Sequence, residues 1–254
     1  YIDGLVMSNH TDTDHDISIA AGIACAADGV TPINSSSAIV KQIDNTWAAG
    51  SAAGGMNDGD TVGADEWFHV HALSSADGAT VDFGFDTSLT AAGLLADAAV
   101  VAAGLTKYRR IGSVRTDSSS NILGFWQVGD EFGWNDPTLE LDSTTVTTSV
   151  TTVTLKVPTG IQVLAVFNIF ATRTDLNVLL RPLGQDDEAP SESAAPLANI
   201  NSSNTEPGAT SAAQAGHYRM RTNTSGQITA RSDASSTTVR VSTTGWHDPR
   251  GRDA

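Results

Sequence analysis

The sequence predicts an all-β protein of two antiparallel β-rich domains with at most one short helix, and three observations predict it. Apolar residues alternate with period two through most of the hydrophobic stretches, as they do in a strand with one buried face. Turn chemistry such as Asp77-Gly78 separates those stretches, and almost no helical pattern intervenes. The composition then changes at Asn135-Asp136-Pro137, beyond which 32 of 117 residues are Ser or Thr. Such residues suit strands with one face packed and the other hydrated. The expected domains are therefore residues 1–137, acidic and β-rich, and 138–254, a sandwich or jelly-roll-like module.

The elements follow in order. Ile2, Leu5 and Met7 open a strand, and Ile17, Ile19, Ala21 and Ile23 line one face of the next. Cys25 falls in an apolar run, where a buried small residue is expected; a single cysteine forms no intrachain disulfide framework. Residues 50–59 read as a flexible glycine loop. Residues 66–73 and 80–85 form a hairpin around Ala76-Asp77-Gly78, because Asp and Gly accept positive φ. The Ala- and Leu-rich stretch 94–103 is the one short helix, capped by Gly104. Residues 108–114 and 122–128 pair around the polar turn 117–121, and a short strand follows Gly129-Asp130-Glu131. In the second domain the β-branched run 144–154 precedes the strongest strand, 162–171, in which Val163, Ala165, Phe167 and Ile169 alternate with less consistently polar neighbours. Strands over 178–181, 216–221, 227–232 and 238–244 complete it, and the Ser-, Pro- and Asn-rich stretch 185–214 reads mostly as loop. The absence of a strict short repeat argues against a parallel β-helix.

Charge narrows the partners. The formal net charge is −15, and it is uneven. Residues 1–137 carry 5 basic and 18 acidic residues, and residues 138–254 carry 9 and 11. An acidic front half repels phosphate backbones and anionic lipid, so neither nucleic acid nor a membrane surface is an expected partner. No stretch approaches the ~18 apolar residues of a membrane span, and no signal-peptide pattern is present. The chain begins at Tyr1 within a strand-like run, which leads us to expect a piece of a longer polypeptide.

Candidate chemistry is sparse. His69 and His71 lie two apart on a strand and so share a face, as a zinc pair would, with His10, His15 or an Asp as third ligand. Trp67 shares that face while Phe68 and Val70 take the other, which favours packed, hydrogen-bonded imidazoles. Two oxygen-rich loops are calcium candidates: Asp12, Asp14, His15 and Asp16, and Asn57, Asp58, Asp60, Asp65 and Glu66. Neither has the EF-hand pattern, and solvated acidic loops are the favoured reading. No catalytic, cofactor-binding or metal residue is expected. Among 29 acids no carboxylate pair is singled out for glycoside hydrolysis, and neither a nucleophile elbow nor a phosphate-binding loop occurs. Arg109 and Arg110 point to opposite sides of a strand and are expected to be salt-bridged there. The closing segment, Gly245-Trp246-His247-Asp248-Pro249-Arg250-Gly251-Arg252, ends a strand in a cationic tail. Trp246, Arg250 and Arg252 are the expected oligomer-interface residues, and Tyr218 the expected glycan contact.

Several segments together resemble a family of bacteriophage and prophage virion structural proteins, of the tail-fibre or head-fibre type. They are Tyr1-Ile2-Asp3-Gly4-Leu5, Asp16-Ile17-Ser18-Ile19-Ala20-Ala21-Gly22, Lys41-Gln42-Ile43-Asp44 with Trp47-Ala48, Trp67-Phe68-His69-Val70-His71, Arg109-Arg110-Ile111-Gly112-Ser113, Val157-Pro158-Thr159-Gly160, and Gly245-Trp246-His247-Asp248 with Arg250-Gly251-Arg252. The resemblance spans nearly the whole chain, and residues 94–103 and 185–214 depart from it. It implies a non-enzymatic protein on the particle surface, joined to other virion proteins through an upstream attachment region. The expected function is a projecting fibre or spike that adheres to a host-surface polysaccharide. A homotrimer is expected, since trimeric interdigitation covers edge strands. The alternatives are a capsid decoration protein and, lacking its usual scaffold, a glycan-degrading tail spike.

Overall fold

Alternating side chains and frequent turns yield many short strands and little helix. The computed structural model describes residues 1–173, 176–202, 212–235 and 237–252, and the protein is all-β. It divides into two units, Tyr1–Asn135 with Asp248–Ala254, and Asp136–His247. The tail beyond His247 thus belongs to the first unit, whereas the sequence reading placed it in the second.

The first unit contains β1 (Ile2–Gly4), β2 (Met7–Asn9), β3 (Asp16–Ile19), β4 (Gly22–Cys25), β5 (Pro32–Ser35), β6 (Ile39–Thr46), β7 (Ala53–Met56), β8 (Trp67–Ser75) and β9 (Val81–Asp86). Two five-residue helices follow, α1 (Ala92–Ala96) and α2 (Ala98–Ala102), then β10 (Leu105–Arg115), β11 (Phe125–Val128) and β12 (Glu131–Trp134). A seven-stranded sheet runs β10-β8-β9-β7-β6-β3-β2, a three-stranded sheet runs β1-β4-β5, and β11 and β12 form a hairpin. Phe68, Phe83, Phe85, Ile17 and Ile19 are fully buried, as their alternation requires.

The structure departs from the sequence reading at several places. The run 17–23 is two strands in different sheets, β3 and β4, and Cys25 on β4 is half-buried rather than buried. Part of the expected loop 50–59 is β7, which pairs parallel with β6 and with β9. Its Gly54 lies so close to β6 that a Cβ there would sit 2.0 Å from the Thr46 carbonyl oxygen, so glycine permits the strand rather than loosening it. β10 pairs with β8 and not with 122–128, because β8 supplies nine residues of ladder where β11 offers four. Only the bridge Thr116–Ile122 survives of the expected pair. The expected single helix is broken at Asp97, whose carboxylate accepts from Ala99 N at 2.7 Å and caps α2, as Asp prefers a cap to a helix interior.

The second unit is a sandwich. It contains β13 (Leu139–Val146), β14 (Thr151–Thr154), β15 (Leu164–Arg173), β16 (Leu176–Pro182), β17 (Ile200–Ser202), β18 (Ala212–Arg221), β19 (Gln227–Ser232) and β20 (Thr237–His247). One sheet orders β20-β15-β18, with β13 also on β20, and the other orders β14-β19-β16-β17. Ala165, Phe167, Ala171, Val178, Ile228, Val239 and Val241 are fully buried. The expected loop 185–214 contains β17 and the start of β18; its residues 203–211 lie outside the described ones.

Lys41 on β6 is a buried cation the sequence did not flag. Its ammonium is fully buried, 2.9 Å from Asp82 on β9, and donates to the Ala48 carbonyl at 2.7 Å. It also lies 5.1 Å from the centre of the Trp47 ring. Burial pushes its pKa down, against the pull of Asp82. Removing one member of such a pair leaves an uncompensated charge. Asp82→Ala is expected to cost about 3–5 kcal/mol in chemical denaturation, while Lys41→Met combined with Asp82→Leu recovers most of it.

Candidate functional site

The tail is built around one carboxylate. Beyond β20 the chain turns at Pro249, and Arg250 (φ 51°) and Gly251 (φ 70°) both adopt left-handed backbone. A side chain at position 251 would press a Cβ to 2.9 Å from the Arg110 carbonyl oxygen, so only glycine fits there comfortably. This geometry turns Asp248 onto β10. Arg110 donates to Asp248 through Nη1 at 2.7 Å and Nη2 at 2.6 Å, a bidentate pair linking residues 138 apart. Both residues are 1 % exposed. The second carboxylate role is local, since Asp248 also accepts from Arg250 N at 2.7 Å.

Arg250 is the other half of the clasp. Its guanidinium donates to the carbonyls of Leu5 at 2.7 Å, Gly4 at 3.0 Å and Ile111 at 2.9 Å. Its own carbonyl accepts from Arg109 Nε at 3.0 Å. Arg252 makes a more exposed bidentate pair with Asp130. The three residues expected at an oligomer interface are thus placed as follows. Trp246 and Arg250 are 1 % and 2 % exposed and lie in the interior of their own chain, and Arg252 pairs within it. The hydrogen bonds of Arg250 and Arg252 are made within their own chain. Arg109 and Arg110 both turn toward the tail instead of to opposite sides; a register shift follows Arg110 on β10.

His69 and His71 are buried and hydrogen-bonded. His69 Nδ1 lies 2.8 Å from Ser113 Oγ and accepts from Arg110 Nε at 3.3 Å. His71 Nε2 donates to the Ser88 carbonyl at 2.9 Å. Burial is the main reason both pKa values fall to about 3, with the Arg110 charge adding to it. Among the described residues no group of three or more His, Cys, Asp or Glu side chains converges as a metal site would require. Asp12 instead faces His15, Asn57 donates to Asp60, and Asp60 accepts from Thr87, so the calcium-candidate loops bond to themselves and their neighbours.

The exposed candidate site lies on the outer face of the β18-β15-β20-β13 sheet. Cross-strand register sets Asn168 beside His217 and Ser242, and Phe170 beside Ala215 and Arg240. Asn168, Phe170, Ala215, Arg240 and Ser242, together with Leu139, line a shallow groove of about 590 Å³. Phe170 is 37 % exposed and Leu139 51 %, so an apolar floor meets solvent beside amide, hydroxyl and guanidinium groups. His217 Nδ1 donates to Asn168 at 3.0 Å, and Arg240 pairs with Asp142 at 2.8 Å. Tyr218, the expected glycan contact, points to the opposite face. Its hydroxyl donates to the Asn199 carbonyl and its ring stacks on buried Phe167 at 6.2 Å. The sequence signal for this face was present but unread: Asn168 and Phe170 are the out-of-phase residues between the buried ones of β15.

Comparison with models of protein families, with curated proteins and with solved structures finds no match to this chain.

Two outcomes follow from the clasp. A chain ending at His247 leaves Arg110 buried without its carboxylate and is expected to lose about 3–5 kcal/mol of stability, whereas Arg252→Ala changes it by less than about 1 kcal/mol. Thermal and denaturant melts distinguish them. The pH response has a definite sign. Both histidines bind protons more weakly folded than unfolded, so their contribution is full above about pH 6.5 and is lost as pH falls toward 3. Stability is expected to fall by on the order of 1.4 kcal/mol per pH unit for each histidine in that window, and His71→Asn is expected to flatten the slope.

Proposed function

We propose that this chain is a non-enzymatic structural protein of a bacteriophage particle, a fibre or spike module that adheres to a host-surface polysaccharide. The outer face of the second unit carries the reading: Phe170 and Leu139 offer an apolar floor for a sugar ring, while Asn168, Ser242 and Arg240 surround it with groups that match hydroxyls. An open, shallow groove suits a polymer passing across it better than an enclosed small molecule. The all-β architecture is compatible with the same reading. Among the described residues no helix is long and apolar enough to cross a membrane.

Each groove would bind a sugar weakly, at about millimolar affinity. Three copies in a homotrimer raise avidity by roughly 10²–10⁴ where their spacing fits the polymer. The trimer contact is assigned to surfaces other than Trp246 and Arg250, which are engaged internally. Purified oligomer is expected to label receptive cells, to be displaced by their extracted polysaccharide, and to release no reducing ends. Phe170→Ala is expected to weaken binding about two- to tenfold per site. Absence of labelling on every permissive strain would return the protein to a shell-decorating role, and released reducing ends to an enzymatic one.

A further inference from the structure

We infer that the adhesive face of the second unit takes an acidic polysaccharide in preference to a neutral one; this rests on the glycan-binding reading and names its ligand class. The observation is a pair of guanidinium cations in line with a histidine on β18. His217, Arg219 and Arg221 alternate along the strand and therefore share a face, at steps of about 6.8 Å. Register places them beside Asn168, Val166 and Leu164 of β15, on the same side of the sheet as Phe170 and Arg240. All three are exposed.

The row is unusual for this chain. With 29 acidic and 14 basic residues, a cation readily finds a carboxylate. Arg110, Arg115, Arg173, Arg181, Arg231 and Arg240 each do. Among the described residues Arg219 and Arg221 form no ion pair, and on this part of the face the one carboxylate the strand register adds is Asp142, already held by Arg240. An uncommitted guanidinium presents a planar fork of donors that fits a carboxylate or sulfate bidentately. Arg221 also borders a second groove of about 370 Å³ beside Pro182 and Leu183, so the cationic row connects two recesses along the strand.

Charge and apolar surface together select the class. A nucleic acid carries a dense line of phosphates that a chain of net charge −15 repels beyond the immediate contact. An acidic polysaccharide carries sparser charge and also presents ring faces and hydroxyls, which Phe170, Asn168 and Ser242 are placed to meet. The guanidinium row supplies the anion contact and the groove supplies the sugar contact.

The test uses the purified oligomer against matched immobilised polymers: a polyuronate and its carboxyl-reduced form, dextran sulfate and dextran, and double-stranded DNA. The acidic member of at least one sugar pair is expected to bind about tenfold or more tightly than its neutral counterpart, with the difference shrinking as salt rises. Arg219→Gln with Arg221→Gln is expected to abolish that preference and leave the thermal midpoint unchanged, since both side chains are exposed. Phe170→Ala is expected to weaken acidic and neutral polymers alike. Equal binding of acidic and neutral polymers by a protein that still labels cells overturns this inference and leaves the adhesion reading standing. Loss of labelling altogether overturns the adhesion reading itself. Preference retained in the double variant, or DNA captured as well as the acidic sugar, overturns the assignment of the row.

Discussion

The buried pair between Arg110 and Asp248 is the interaction on which the first unit depends. Two charges at 1 % exposure carry a desolvation penalty of several kcal/mol each, which only close, fully bonded geometry offsets. Here the guanidinium has both Nη atoms on the carboxylate, Nη2 also on Ser113, and Nε on His69. The imidazole must stay neutral to accept from Arg110, and burial holds it so. Asp248 in turn fixes the turn that aims Arg250 at the carbonyls of Gly4 and Leu5. One carboxylate therefore ties the first strand, the longest strand of the unit and the last residues of the chain into a single network.

That network also explains where the cations are. In the first unit Lys41, Arg109, Arg110 and Arg250 are buried, and Lys107, Arg115 and Arg252 each face a carboxylate. Internal structure uses its positive charge and leaves the surface acidic. The second unit differs, because Arg219 and Arg221 stand on an exposed strand with no carboxylate of the described residues against them. Exposed charge of the minority sign has no folding role to explain it.

Much of the fold was legible because alternation is local. The hairpin of β8 and β9, the buried residues of β15 and the last strand of the second unit all follow from period-two patterning with a turn between. What escaped depended on contacts distant in sequence. Gly54 reads as loop unless the backbone of β6 is known to lie against it. Residues 108–114 seek the longest available ladder, and strand length is not visible from a polar turn. Trp246 and Arg250 have the composition of an interface, and composition does not reveal burial within the chain; Asp248 stood in a quoted segment, but nothing in it marked Arg110, 138 residues away, as its partner. Phe170 breaks the alternation of β15, and only the register across β20 and β13 brings it to one groove with Leu139.

The order of the chain gives this arrangement a further logic. The first unit is interrupted after Asn135 and resumes at Asp248, so the second unit is an insertion between two parts of one network. Insertion costs little when the inserted segment begins and ends close together. The second unit meets that condition by itself, since Leu139 near its start pairs with Ser242 near its end across β13 and β20. Loop-closure entropy for the first unit is then set by the short span between those ends and not by the 112 residues between them. The clasp of the first unit thus closes without ordering the second as a long loop, provided β13 and β20 stay paired. The Arg110–Asp248 pair and the β13–β20 ladder are therefore separate requirements: the first holds the first unit together, and the second keeps the ends of the second unit side by side.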